Sequence, residues 1–331
     1  MTPAITVLTP TLNAARFLDA MLRSVRDQSL PIEQIEHIVV DAGSRDRTLE
    51  VIRTVSPGVR VIVEPGCTIY EAMNIGLAAA RGDCVGWLNA DDLWRPHALE
   101  DVVRTLASER DADLIVGHYD MFDGTTRWSY RTNADVLDRV RTGRMARWFD
   151  IWVNPLAAFF RTRTLRALGG YDVRFRLVAD WDLWFRAAAN PAPLRVAHTG
   201  TRLGSFRVHP QSLSAGTRFD RLLEEKREVM TRWVGDDSAP DGVRRCARRM
   251  FRHDTLALWA WRARTARRGA RLDGSARCAR EIRDVGEGLA ADLATGAGVA
   301  IHEVTQSLPW VGKAVRAAWA ATGGPTVAPD G

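Results

Sequence analysis

Val85-Gly86-Trp87-Leu88-Asn89-Ala90-Asp91-Asp92 decides the fold: an apolar strand runs directly into a polar end that carries two adjacent carboxylates. In an open α/β sheet, ligands bind in the crevice outside the carboxyl ends of the strands. Two acids there suit Mg²⁺ or Mn²⁺, which take one or two carboxylates together with substrate phosphates. The competing reading is local, with Asp91 and Asp92 capping a helix that starts at Leu93-Trp94-Arg95-Pro96.

Upstream of this stretch, short apolar segments alternate with helical ones. Ile5-Thr6-Val7-Leu8, Ile38-Val39-Val40-Asp41 and residues 59–64 read as strands, with helices expected near 15–28, 47–54 and 70–80. That βαβα order predicts a mostly parallel sheet with helices on both faces. Leu114-Ile115-Val116-Gly117 reads as a further strand. Residues 121–154 turn polar and aromatic, reading as an excursion from the main sheet with a hairpin turn at Asp123-Gly124.

Ala157-Ala158-Phe159-Phe160, a helix near 163–168 and Gly169-Gly170-Tyr171-Asp172 come next. In Ala179-Asp180-Trp181-Asp182-Leu183-Trp184-Phe185-Arg186, the spacing of Leu183, Trp184 and Ala187 buries one helical stripe. Asp180 and Asp182 fall near its amino end, where negative charge is favoured. After Arg207-Val208-His209-Pro210 the sequence becomes rich in Arg and Ala. A boundary is expected near Ala215, dividing an α/β domain, 1–215, from a helical region, 216–331.

With 331 residues, 46% of them hydrophobic, the chain can bury one large core or two modest ones. Cys67, Cys84, Cys246 and Cys278 show no CxxC spacing, which argues against a disulfide framework or a zinc site. No apolar run reaches the roughly 18 residues that span a bilayer. The early strand at Ile5 leaves no room for a secretory leader, so a cytoplasmic location is expected. A net charge of +6 is weak evidence for any partner.

Three further strand ends join the acidic pair: Thr9-Pro10-Thr11-Leu12-Asn13, Asp41-Ala42-Gly43-Ser44-Arg45-Asp46-Arg47-Thr48 and Glu64-Pro65-Gly66. In a parallel sheet they line one edge, a polar rim suited to a nucleotide. Singly, each has a plainer explanation. Asp41 is also a typical strand-end turn residue, Ser44 to Thr48 a helix cap, His209 a loop histidine before proline, and Trp181 and Trp184 core residues.

These segments, with Ile69-Tyr70-Glu71-Ala72-Met73-Asn74, Gly169-Gly170-Tyr171-Asp172, Ala179-Asp180-Trp181-Asp182 and Arg207-Val208-His209-Pro210-Gln211-Ser212, occur in the order found in family 2 glycosyltransferases of the GT-A fold. The chain resembles that family between residues 4 and 215. The resemblance implies a Rossmann-like, mixed, mostly parallel sheet flanked by helices, here with a helical C-terminal extension. It implies an inverting transfer from a UDP- or GDP-linked sugar to a glycan or lipid-linked acceptor, in cell-surface polysaccharide biosynthesis. Thr9, Pro10, Thr11, Asn13, Asp41, Glu64 and Asn74 would then hold the nucleotide, with Asp41 accepting a hydrogen bond from the base. Asp91 would face the ribose or the metal, and Asp92 would hold Mg²⁺ or Mn²⁺ against the diphosphate. His209 would complete the metal site, Arg207 would contact phosphate, and Trp181 and Asp182 would meet the acceptor. Asp180 is the candidate base for the acceptor hydroxyl, with Asp182 its competitor.

Two segments depart from the family pattern. Gly66 and Thr68 stand where many relatives carry an acid and a glycine, which puts the base and ribose contacts of that loop in question, and Asn154-Pro155-Leu156 replaces an Asn-His-Gln, which points to altered acceptor recognition. Residues 244–283 are arginine-rich and contain Leu256, Leu258, Trp259 and Trp261. They read either as helices packed on the catalytic domain or as a peripheral contact with the inner face of the membrane. A short helix is expected around Leu308-Pro309-Trp310-Val311, and a frayed tail from Gly323. No recognised nucleic-acid module is present, and no Gly-rich basic loop of the nucleotidyltransferase kind follows the first strand. The alternative from another class is a non-catalytic nucleotide-sugar-binding or scaffold protein on the same fold.

Overall fold

The computed structural model describes residues 2–144, 153–212 and 219–265. Among them, β1 (Ile5–Thr11) occupies the middle of the amino-terminal half of the sheet, with β2 (Ile35–Asp41) on one side and β4 (Cys84–Trp87) on the other. All three run parallel, pairing Thr11 with Asp41 and Leu8 with Trp87. β3 (Arg60–Val63) extends the parallel array beyond β2. Every residue of β2 and all but one of β1 is buried or nearly so, the pattern of strands covered on both faces. The strand ends carrying Asp41 and Asp91 therefore flank β1 at one edge.

Beyond β4 the sheet becomes mixed. β8 (Ala158–Arg161) inserts antiparallel between β4 and β6 (Leu114–Phe122). β9 (Val196–Arg207) runs parallel to β6, and the two-residue β5 (Leu93–Trp94) closes the order β3-β2-β1-β4-β8-β6-β9-β5. β7 (Arg127–Tyr130) pairs antiparallel with β6 as a side branch. Asp123 Oδ1 accepts the Thr125 and Thr126 N–H groups, closing the expected hairpin at Asp123-Gly124. β1, β2, β3, β4, β6 and β9 share one direction; β5, β7 and β8 oppose it.

The capping reading of Asp91-Asp92 does not hold. Leu93–Trp94 is a strand, and the next helix, α4 (Ala98–Ser108), starts after His97. Trp94 packs 5.3 Å from the Phe159 ring and donates its indole N–H to Leu156 O, long-range contacts that no local pattern announces. The other helices follow their sequence signals. α1 (Ala15–Arg26) buries Leu18, Met21, Leu22 and Val25, one stripe at helical spacing. α2 (Thr48–Val55) follows the Asp46 turn, and α3 (Ile69–Ala79) opens on a capping box in which Thr68 and Glu71 bond each other's backbone. α5 (Val136–Thr142), α6 (Thr162–Ala167) and α7 (Ala179–Ala189) complete the series before β9.

Among the described residues the chain forms two compact units: those from 2 to 207 together with 237–246, and those from 208 to 236 together with 247–265. The expected boundary at Ala215 lies outside the described residues, as do the segments around 308–311 and 323–331. In the second unit, α8 (Phe219–Val234) buries Leu223, Val229 and Met230, while Ala247, Met250 and Phe251 of α9 (Asp241–Thr265) are buried too. Lys226 Nζ meets Asp254 Oδ1 at 3.3 Å with both side chains fully enclosed. Among the described residues, no helix is long and apolar enough to cross a membrane.

His37, buried within β2, shares a 3.0 Å hydrogen bond with Thr9 Oγ1, and burial lowers its pKa to about 3. In the unfolded chain a histidine takes up a proton near pH 6.5. The unfolded state therefore binds more protons below that point, and stability falls as pH drops from about 6.5 toward 3. His37→Gln should flatten this acid limb, removing a slope of up to about 1.4 kcal/mol per pH unit. Urea unfolding of both proteins at pH 7, 6 and 5 measures it; parallel losses in the two would contradict the assignment.

Candidate functional site

The loops after β1 and β2 are stitched together by side chains. Asp41 is fully buried, and its Oδ1 accepts the N–H groups of Gly43 and Ser44 at 3.0 and 2.8 Å. Its Oδ2 accepts the hydroxyls of Thr11 and Ser44 at 3.0 and 2.5 Å. A carboxylate offers about four acceptor positions, so those of Asp41 are filled within the protein. A base could bond it only by displacing a hydroxyl. Asn13 adopts a left-handed backbone with φ of 50°, donates its N–H to Ser44 Oγ and accepts Arg45 N–H on Oδ1. Asp46 accepts the N–H groups of Ala15 and Thr48, serving the starts of α1 and α2 together. Thr9 faces His37, Pro10 is partly exposed and Glu64 is exposed beyond β3.

At the end of β4, Trp87 Nε1 donates to Asn89 Oδ1 at 2.7 Å, and Asn89 Nδ2 donates to Asp92 Oδ2 at 3.0 Å. Arg207, the last residue of β9, donates its backbone N–H to Asp92 Oδ1 at 2.8 Å and its Nε–H to Asp91 O at 2.9 Å. Asp92 is wholly buried with a protein donor on each oxygen, and burial, then the charge of Asp91, pushes its pKa well above the usual carboxylate range. Asp91 remains partly exposed at the crevice. Of the two acids, Asp91 is partly exposed and Asp92 is enclosed. Burial lowers the pKa of Arg207, against the raising effect of Asp91 and Asp92.

The third element is an aromatic box around Asp180. Tyr70 Oη donates to Asp180 Oδ1 at 3.2 Å. The Tyr70, Trp87 and Tyr171 rings meet one another with centroids 5.3 to 5.7 Å apart. Burial, then the charge of Asp180, raises the pKa of Tyr70 far above its ordinary value, so its hydroxyl keeps its proton. Asp182, the competing acid, is fully enclosed and accepts Arg186 Nε–H at 2.6 Å. Arg186 also bonds the carbonyls of Leu168 and Gly170, so Asp182, through Arg186, braces the turn after α6. Trp181 is partly exposed, whereas Trp184 stacks on Phe160 in the core.

Asn74 proves to be a tie: its amide exchanges two hydrogen bonds with the Tyr171 backbone, at 2.7 and 2.8 Å. Gly170, at φ 66°, leaves room for that tie, since a Cβ there would stand 2.5 Å from Asn74 Oδ1. Thr68, which departs from the family pattern, has become the cap of α3, and Gly66, at φ 83°, turns the chain in open space. Asn154 accepts the Leu156 N–H, capping the turn Pro155–Ala157. His209 lies in the second unit, where its N–H donates to Ser212 Oγ at 3.1 Å. Among the described residues, no three His, Cys, Asp or Glu side chains gather as a metal cluster. Sequence reasoning missed the roles of Tyr70, Trp87 and Asn89; the only signal was their place in the segments carrying the resemblance.

The profile of Glycosyl transferase family 2 matches residues 6–169. A PGL/p-HBAD biosynthesis glycosyltransferase of Mycobacterium bovis (strain BCG / Pasteur 1173P2) is 32% identical over 195 residues, covering 57% of this chain and 72% of that protein. Among solved structures, TarS of S. aureus in complex with UDP-GlcNAc gives a TM-score of 0.62 at 14% identity, covering 85% of this chain and 82% of that one. The mannosyltransferase PcManGT of Pyrobaculum calidifontis, in complex with GDP-Man and Mn²⁺, gives 0.58 at 21% identity, covering 97% and 87%. These two share the fold. The chain belongs to glycosyltransferase family 2 and has the GT-A fold.

Proposed function

We propose that the chain transfers a sugar from a nucleoside diphosphate donor to a hydroxyl of a glycan or lipid-linked acceptor, with inversion, during cell-surface polysaccharide assembly. The reaction takes place in the cytoplasm or at the inner face of the membrane. The observation that carries this reading is Asp180, partly exposed at the start of α7 and oriented by Tyr70 Oη within aromatic walls. The Asp180 carboxylate takes the proton from the attacking acceptor hydroxyl as the glycosidic bond to the diphosphate breaks. Inversion needs one such base and no covalent intermediate. Trp181, partly exposed beside it, offers an aromatic face for a sugar ring.

The donor lies along the strand ends after β1, β2 and β4. The loop held by Asp41, Thr11 and Asn13 supports the nucleoside, and Asp91 faces the diphosphate. The donors bound by TarS and PcManGT, UDP-GlcNAc and GDP-Man, support a UDP- or GDP-linked sugar. A single accessible hard oxygen ligand, Asp91, fits Mg²⁺ or Mn²⁺ in a site completed by phosphate oxygens and water. When bound, the cation neutralises charge on the departing diphosphate. Arg207, held against Asp91 O, adds fixed positive charge beside it.

Asp180→Asn should lower kcat by about 10²- to 10⁴-fold while leaving the affinity for UDP or GDP within about twofold. Radiolabelled transfer and calorimetry measure the two, and undiminished transfer would remove Asp180 from the chemistry. Asp91→Ala should abolish the increase in melting temperature that Mn²⁺ adds to UDP or GDP. A retained Mn²⁺-dependent shift would place the cation elsewhere.

A further inference from the structure

β6 carries a second charged constellation, which the reaction above does not use. Asp120 is buried, and three guanidiniums converge on it: Arg95 Nη2 at 2.6 Å, Arg127 Nη1 at 3.1 Å and Arg202 Nε at 2.8 Å. Ser129 Oγ also donates to Asp120, and Arg127 Nη1 donates to Ser205 Oγ. The sheet register explains the convergence. His118 pairs with Arg202, Asp120 with Ser129 and Ser205, and Phe122 with Arg127 and Arg207. Alternate residues of a strand share a face, so these side chains form one row at the carboxyl-end side of β6 and β9.

Charge and exposure show what the row lacks. Three arginines face one carboxylate, and their side chains are 45%, 48% and 40% exposed. Each guanidinium has five N–H donors, of which the protein engages a minority. Three like charges held this close repel one another, and one aspartate neutralises a third of them. The field reaches His118, whose pKa is lowered first by burial and then by the positive charges of His198, Arg131 and Arg202. A planar fork of donors is the standard receptor for a phosphate oxyanion.

The Phe122 ring lies between Arg207 at 4.4 Å and Arg127 at 5.3 Å, and Arg207 is bonded to the Asp91 carbonyl. With the donor diphosphate placed at Asp91, whose carbonyl Arg207 bonds, the guanidiniums gathered on Asp120 are left for a second anion. We infer that Arg95, Arg127 and Arg202, gathered by Asp120, form a subsite for a phosphate group carried by the acceptor. The assignment to the acceptor rests on the transferase reading; the capture of an oxyanion does not.

The test titrates the full chain with inorganic pyrophosphate at low salt, without divalent cation, by calorimetry. Wild type should bind it at one site, more weakly as salt rises. Arg127→Gln combined with Arg202→Gln should weaken binding by about tenfold or more, and Asp91→Ala should leave it unchanged. Arg202→Gln alone leaves two guanidiniums on Asp120 and reads the same loss if the double variant does not fold. UDP and GDP should not displace the pyrophosphate. Equal binding in wild type and arginine variants, no binding at all, or displacement by UDP or GDP would overturn the subsite. Because binding is read without turnover, its failure is distinct from a failure of transferase activity.

Discussion

The burial of Asp92 is the constraint on which the site depends. An enclosed carboxylate must find donors, and it finds them on Asn89 and on the backbone of Arg207. Those two bonds join the end of β4 to the end of β9, elements far apart in sequence. They also leave Asp91 partly exposed at the crevice. Asn89 in turn receives the indole N–H of Trp87, and the Trp87 ring packs against Tyr70 and Tyr171. One chain of contacts thus runs from Arg207 through the acidic loop to the aromatic box that holds Asp180.

The same logic recurs at Asp41, Asp120 and Asp182. Each is buried, each holds at least one hydrogen-bond donor, and each braces a loop or strand end. Asp91 and Asp180, the acids given chemical roles in the proposed reaction, are partly open to solvent. Adjacent or near-adjacent acids thus divide their work, one anchoring and one exposed: Asp92 with Asp91, and Asp182 with Asp180.

The parallel half of the fold was legible because β1, β2 and β4 are buried apolar runs, β3 is a short β-branched one, and each helix has its own local stripe or cap. β5 and β9 were not, since Leu93–Trp94 is a strand only through its pairing with Gly204 and Ser205. The candidate site was legible as a set of segments but not as a division of roles. Asp92 is enclosed partly by the backbone N–H of Arg207, which no spacing rule connects to either acid. Likewise Asn74 reads as a polar ligand in its motif, whereas the backbone of Tyr171 takes both ends of its amide.

Asp92 anchors the acidic loop, and Asp91 is the proposed ligand of the cation. A crystal structure of the full chain soaked with Mn²⁺ and UDP or GDP, with the metal located by its anomalous signal, tests it directly. The expected result is Mn²⁺ ligated by an Asp91 carboxylate oxygen and by phosphate oxygens, with Asp92 still bonded to Asn89 and to the backbone of Arg207. Mn²⁺ on Asp92, with those bonds broken, would contradict it.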